Sequence, residues 1–234
     1  MNSNKMTART VGVLFITATV AGILGVVLLD TILDDSDYLI TVSENENQVL
    51  IGVLFELISA VAVAGTAITL FPIFKKHNET LALGYVGGRI LEAVTIIVGL
   101  ISALLLLTLS QEFVKAGAPD SHFQTLGTLF VATRDWTNLI GPNILLSLNA
   151  LILSYLLYQL KLVPRFISVW GLIAAPAVLA AGLLIMFGLI GRFSTVAGLL
   201  VLPIALFEMV LAVWLIVKGF NSSAIVSESV KTDV

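Results

Sequence analysis

The chain has 234 residues, of which 58% are hydrophobic and only 12% charged, with a net charge of −3. Its mean hydropathy of +1.06 excludes a soluble globular protein, because a soluble domain of this size leaves too much surface exposed to hide so much apolar area. The absence of cysteine excludes disulfides, thiolate metal sites and cysteine nucleophiles, and no basic stripe of the kind that binds nucleic acid is present.

Six apolar runs follow one another, near residues 11–29, 49–71, 83–109, 138–160, 167–190 and 196–217. Each approaches the roughly 20 residues an α-helix needs to cross a hydrocarbon core. A transmembrane β-barrel would instead show alternating segments of about 10 residues. The expected fold is all-α: a polytopic six-helix transmembrane bundle, one domain over residues 1–220, with a disordered tail over 221–234.

In chain order, Lys5 and Arg9 precede the first run. That run exceeds a signal-peptide core of about 7–15 residues and no A-x-A-like site closes it, so it is expected to remain as a helix. The loop Asp30–Gln48 holds Asp30, Asp34, Asp35, Asp37, Glu44 and Glu46 and reads as a solvated acidic loop without the glycine and closing glutamate of an EF-hand. The second run contains Glu56; the third contains Arg89 and Glu92 after Gly84-Tyr-Val-Gly-Gly88, a spacing that permits close helix approach. Gly117 and Pro119 mark the next loop, residues 111–125, as a flexible turn. Arg134 and Asp135 stand at the margin of the fourth run, which carries Asn138, Asn143 and Asn149. Pro142, Pro176 and Pro203 lie within apolar runs, where proline is expected to kink a helix. Glu208 sits in the last run. The two histidines, His77 and His122, fall in connecting segments, so an intramembrane polyhistidine metal site is excluded. No metal and no cofactor are expected.

Basic residues set the expected orientation. With the N-terminus cytoplasmic, inner segments hold Lys5, Arg9, Lys75, Lys76, Lys161, Arg165, Lys218 and Lys231, eight of the 12, whereas outer loops hold only Lys115 and Arg192. The positive-inside rule therefore puts both termini in the cytoplasm.

The ionisable residues within the runs are the main functional lead, since a charge at the bilayer centre costs on the order of 3 kcal/mol even on the lenient insertion scale. A rise of 1.5 Å per residue places Glu92 and Glu208 at similar depths, about 16 Å and 18 Å from opposite edges, with Arg89 one turn away. Arg134 reaches the level of Glu56 if its helix begins near Leu126. Four acids (Glu56, Glu92, Asp135, Glu208) face two bases (Arg89, Arg134), so the excess must be met by protonated carboxyls, a bound cation or solvent. Together with Asn138 and Asn143 these residues form the candidate polar, proton or ligand site. The same residues could instead clamp helices, with Arg89 linking Glu92 and Glu208. Leu54-Phe55-Glu56 recurs as Leu206-Phe207-Glu208, although helices two and six run the same way and a clean inverted repeat is not supported.

Three stretches carry a wider resemblance: Leu81-Ala-Leu-Gly-Tyr-Val-Gly-Gly-Arg-Ile-Leu-Glu92, Leu162-Val-Pro-Arg-Phe-Ile-Ser-Val-Trp-Gly171, and Leu202 to Phe220 with its Pro203, Glu208 and Trp214. In these the chain resembles a family of prokaryotic integral membrane proteins catalogued as domain of unknown function 4386. The resemblance implies a six-helix domain in a prokaryotic plasma membrane and no assigned chemistry.

No G-x-S-x-G, H-E-x-x-H or P-loop pattern is present, so an enzyme has little support, with paired carboxylates as its one route. The reading favoured by the sequence is a non-catalytic structural, sensing or accessory membrane protein. The alternatives are a small proton-linked transporter using the buried carboxylates and an intramembrane acid-base enzyme. The expected partners are the lipid bilayer and either a second copy or another membrane protein, not nucleic acid.

Overall fold

A computed structural model describes residues 3–33, 35–117 and 121–221. The expected tail over 221–234 lies outside the described residues except for Asn221, as do Asp34 and Pro119. Six helical stretches are long and apolar enough to cross a membrane. They are α1 (Ser3–Leu33), α3 (Glu46–Phe74), α4 (Glu79–Ala116), the continuous stretch formed by α5 (Ser121–Leu139), a π-helical segment (Ile140–Leu145) and α6 (Leu146–Leu160), then α7 (Arg165–Met186) and α8 (Thr195–Val217). A short helix α2 (Tyr38–Glu44) lies between the first two spans.

The helices start and stop where side chains satisfy the free ends of the backbone. Asn78 accepts from Leu81 N–H at 2.9 Å to begin α4, and Ser194 accepts from Ala197 N–H at 3.2 Å to begin α8. Lys161 (φ 53°) ends α6 in the left-handed region, and the Asn221 amide donates to its carbonyl at 2.7 Å. Pro176 and Pro203 stay inside helices that run on continuously. Only Pro142 changes the helix type.

Neighbouring spans close a ring: α1 packs along α3, α3 along α4, α4 along α5 and α6, α6 along α7, α7 along α8, and α8 returns to α1. The start of α1 and the end of α8 share one end of the bundle, where Arg9 Nε donates to Ile216 O at 3.3 Å. This is the terminal end, and the other is the distal end. The larger apolar core, with Phe15, Phe74, Tyr85, Leu156 and Leu211, fills the terminal half. A smaller one, with Leu29, Leu39, Val42, Val49 and Leu106, fills the distal half. Large apolar side chains face outward all round: Val61 is 66% and Ile173 69% exposed. That is the surface a bilayer covers and water would not tolerate.

Three sequence expectations change. The fourth span begins at Ser121, not near residue 138: its first turns carry Thr125, Thr128 and Thr133, whose hydroxyls are satisfied on the carbonyl four residues back, so polar residues sit in the helix without an apolar run. The acidic loop is not merely solvated: α2 buries Leu39 and Val42 against the distal core, and the Ser110 hydroxyl on α4 donates to the Leu39 carbonyl. The loop over 111–125 is mostly helix, with α4 ending only at Gly117, whose φ of 65° suits glycine at a C-cap.

Candidate functional site

Two ion-pair clusters form inside the ring, one towards each end. In the terminal cluster, Arg89 Nη1 donates to both carboxylate oxygens of Glu92 at 3.1 and 3.2 Å, one turn apart on α4. Arg89 Nη2 lies 3.5 Å from Glu208 Oε1 on α8, an ionic contact longer than a good hydrogen bond. Arg89 Nε donates to the Tyr85 hydroxyl at 3.3 Å, and the guanidinium lies 5.7 and 5.6 Å from the Tyr85 and Phe15 ring centroids, within cation–π range. From α6, Asn149 Nδ2 donates to Glu92 Oε2 at 2.8 Å. Gly88 makes room for it: a Cβ there would meet Asn149 Oδ1 at 2.0 Å. In the motif Gly84–Gly88, therefore, the second glycine accommodates a side chain, whereas a Cβ added at Gly84 would meet nothing closer than Ile152 at 4.0 Å.

The distal cluster is built around Arg134, 2% exposed, whose guanidinium grips Glu56 bidentately at 2.6 and 3.0 Å. Arg134 Nη2 also lies 3.6 Å from Asp30 at the end of α1. Asp30 in turn faces Arg192 at 3.8 Å, and Arg192 donates to Asp135. Gly25 on α1 admits Glu56, because a Cβ at 25 would come within 2.4 Å of Glu56 Cγ. A small residue here lets the carboxylate pass α1 and reach α5. Breaking either buried pair from one side strands a charge in a low-dielectric interior, at about 3–5 kcal/mol.

The π segment connects the two clusters. Pro142 cannot donate to the Asn138 carbonyl four residues earlier, and Asn143 Nδ2 supplies a donor instead at 3.2 Å. This occupies Asn143 structurally. The Asn138 amide nitrogen is shielded from solvent and has no hydrogen-bond partner.

Between the clusters lies a cavity of about 430 Å³, lined mostly by apolar side chains of α1, α3, α4, α7 and α8 and by the π segment. Glu56, Arg89, Glu92, Asn138, Asn143, Arg192 and Glu208 reach its wall. That volume falls within the roughly 300–1,000 Å³ of small-molecule pockets, which are likewise apolar with a few convergent polar groups. Among the described residues no three potential metal ligands converge.

Of the eight residues read from the sequence, six line this cavity; Arg134 stands behind Glu56, and Asp135, 53% exposed at its side chain, lies at the distal rim. Asp30, assigned to an outer loop, lies at the end of α1, and Arg192 keeps its place in a connection, between α7 and α8; both join the distal cluster. Asp30 directly follows the apolar run, so a helix continued by one residue would have included it. Arg192 had no such signal, because the bend after α7 brings it back. Among the described residues the two clusters then bring together five carboxyl groups (Asp30, Glu56, Glu92, Asp135, Glu208) and three guanidiniums (Arg89, Arg134, Arg192).

No curated protein and no solved structure matches the chain. The family model described as domain of unknown function (DUF4386) matches residues 10–219, a span that holds both clusters and the cavity between them. The chain is a member of the DUF4386 family, with a six-helix transmembrane fold.

Proposed function

We propose that this protein binds a small amphipathic solute within the membrane and does not transform it. The observation that carries the reading is the placement of the cavity, apolar along most of its wall and bounded at both ends by buried ion pairs. Two roles follow for the charges. Their strongly bonded pairs, Arg134–Glu56 tying α5 to α3 and Arg89–Glu92 within α4, are occupied with each other. Their less satisfied atoms, Arg89 Nη2 and Glu208, face the space where a solute would sit. The terminal end is proposed to be cytoplasmic and the membrane a prokaryotic plasma membrane, on the basic-residue asymmetry and the family resemblance.

Thermal melting of the purified protein in nanodiscs, against a panel of amphipathic amines, acids and neutral alcohols, tests the binding reading. At least one class should raise the melting temperature, since a ligand at 100 times its Kd stabilises by about 2.7 kcal/mol. Gly198→Trp should remove that response. Gly198 lines the cavity, and a Cβ there meets nothing within 4 Å, so the indole fills the space without displacing backbone. A panel with no stabilising member would reject the reading.

A further inference from the structure

Resting on the binding reading above, we infer that the solute is an amphipathic cation and that it enters sideways from the bilayer through a slot between the distal halves of α1 and α8. The two helices touch in their terminal halves. A Cβ at Gly12 would come within 2.6 Å of Ala212 O, and Arg9 bonds to Ile216. Further on, by two turns along α1 and one along α8, Thr19 and Glu208 stand near each other on the cavity wall. Beyond that level the cavity separates the helices: Ile23 and Val26 form one wall, and Ala197, Gly198 and Val201 the other. Ile23 is 57% exposed while also lining the cavity, so the wall is continuous with the outer apolar surface. An opening of this kind faces hydrocarbon, and its apolar sides suit the tail of an amphiphile rather than a hydrated ion.

Charge selects the head. Glu208 stands at the deep end of the slot and shares Arg89 with Glu92, which takes both of that guanidinium's hydrogen bonds to carboxylate. With Glu92 and Glu208 sharing the one guanidinium of Arg89, an incoming cation beside Glu208 completes the pairing and an incoming anion worsens it. The Asn138 amide and Arg89 Nη2, both without a hydrogen-bond partner, add donors for a carbonyl or hydroxyl elsewhere on the same molecule.

The test uses tetraphenylphosphonium and tetraphenylborate, apolar ions of the same shape and opposite sign, with the full chain in nanodiscs and empty nanodiscs as the baseline. The expected result is saturable phosphonium binding at one site per chain, at least tenfold tighter than borate and weakened at least tenfold by Glu208→Gln. Slower association, by about tenfold, is expected in Ile23→Trp or Val201→Trp, which narrow the slot at either edge. Each variant is first checked for cooperative melting, and Thr19→Val serves as a milder perturbation of Glu208, expected to shift affinity in the same direction, should Glu208→Gln fail to fold. Borate binding as tight as phosphonium, and lost in Gly198→Trp, would overturn the cation assignment while leaving the cavity a binding site. No phosphonium binding by the folded protein would overturn it as well, with the amphiphile panel still deciding the binding reading. Unchanged association rates in both tryptophan variants would overturn entry between α1 and α8.

Discussion

Arg89 and Arg134 each bring a carboxylate from another span to a guanidinium, and each does so with its side chain almost wholly buried. A lone buried carboxylate is costly, so the two arginines should not be separable from their partners. Arg134→Ala is expected to destabilise the protein by about 3–5 kcal/mol, and Arg134→Lys by less than alanine yet measurably, because an ammonium cannot match the bidentate geometry seen at 2.6 and 3.0 Å. Unfolding in mixed micelles by increasing denaturing detergent checks both. Replacing both members, as in Arg134→Leu with Glu56→Leu, should recover most of the loss, since no charge is then stranded. The pairing of Arg89 with both Glu92 and Glu208 was legible from depth and helix face alone, because 1.5 Å per residue on opposed helices fixes height. The part played by Asn149 was not: its reach to Glu92 depends on Gly88 leaving a gap, and nothing in one sequence says which glycine a neighbour will use.

Single elements are shaped by how their backbone groups are satisfied. In the span from Ser121 to Leu160 the π segment follows from Pro142, and Asn143 supplies the replacement donor to the Asn138 carbonyl. Asn143→Ala should therefore cost about 1 kcal/mol in the native background and less when Pro142→Ala has restored a backbone N–H. A double-mutant cycle on thermal stability reads that coupling, and strict additivity would remove the compensation argument. The proline was visible in the sequence; that this one would produce a π segment while Pro176 and Pro203 remain in unbroken helices was not, because the outcome rests on side-chain donors nearby. The early start of the same span was hidden for a related reason. Its first turns carry polar residues that an apolar-run criterion passes over. At the distal end, Asp35 anchors the turn ahead of α2: it accepts from the Asp37 N–H at 3.1 Å and the Thr41 hydroxyl at 3.0 Å. Those bonds, the Asp37 N–H foremost, hold its carboxyl below the ordinary aspartate value of 3.8. Because the folded value is the lower one, this support is present above that ordinary value and fades as pH falls through the folded one. Amide protection in Tyr38–Glu44, taken relative to the intrinsic exchange rate at each pH, should fall on acidification towards that range, and Asp35→Asn should show the lower protection already at neutral pH.

Seen whole, the ring of six spans encloses a polar-ended cavity that an apolar exterior gives no hint of. Composition and run length carried the number of spans and the all-α class, since both depend only on hydrocarbon thickness and backbone satisfaction. The cavity was not legible: it arises where α1 and α8 part beside the π segment, a consequence of packing. Orientation is tested independently, because the chain has no native cysteine. A cysteine at Asp35 should label from outside intact cells and one at Lys76 should not; the reverse pattern would invert the proposed topology. The central claim is that the cavity between the ion-pair clusters is accessible to a solute. Ser59→Cys, a near-isosteric change on the cavity wall, measures this directly against Ser168→Cys, which is fully buried elsewhere in the bundle. Intact-mass detection after treatment of the folded protein with a small cationic methanethiosulfonate should find position 59 modified and position 168 modified only after denaturation. Equal protection of both positions would mean a sealed interior and would contradict the account.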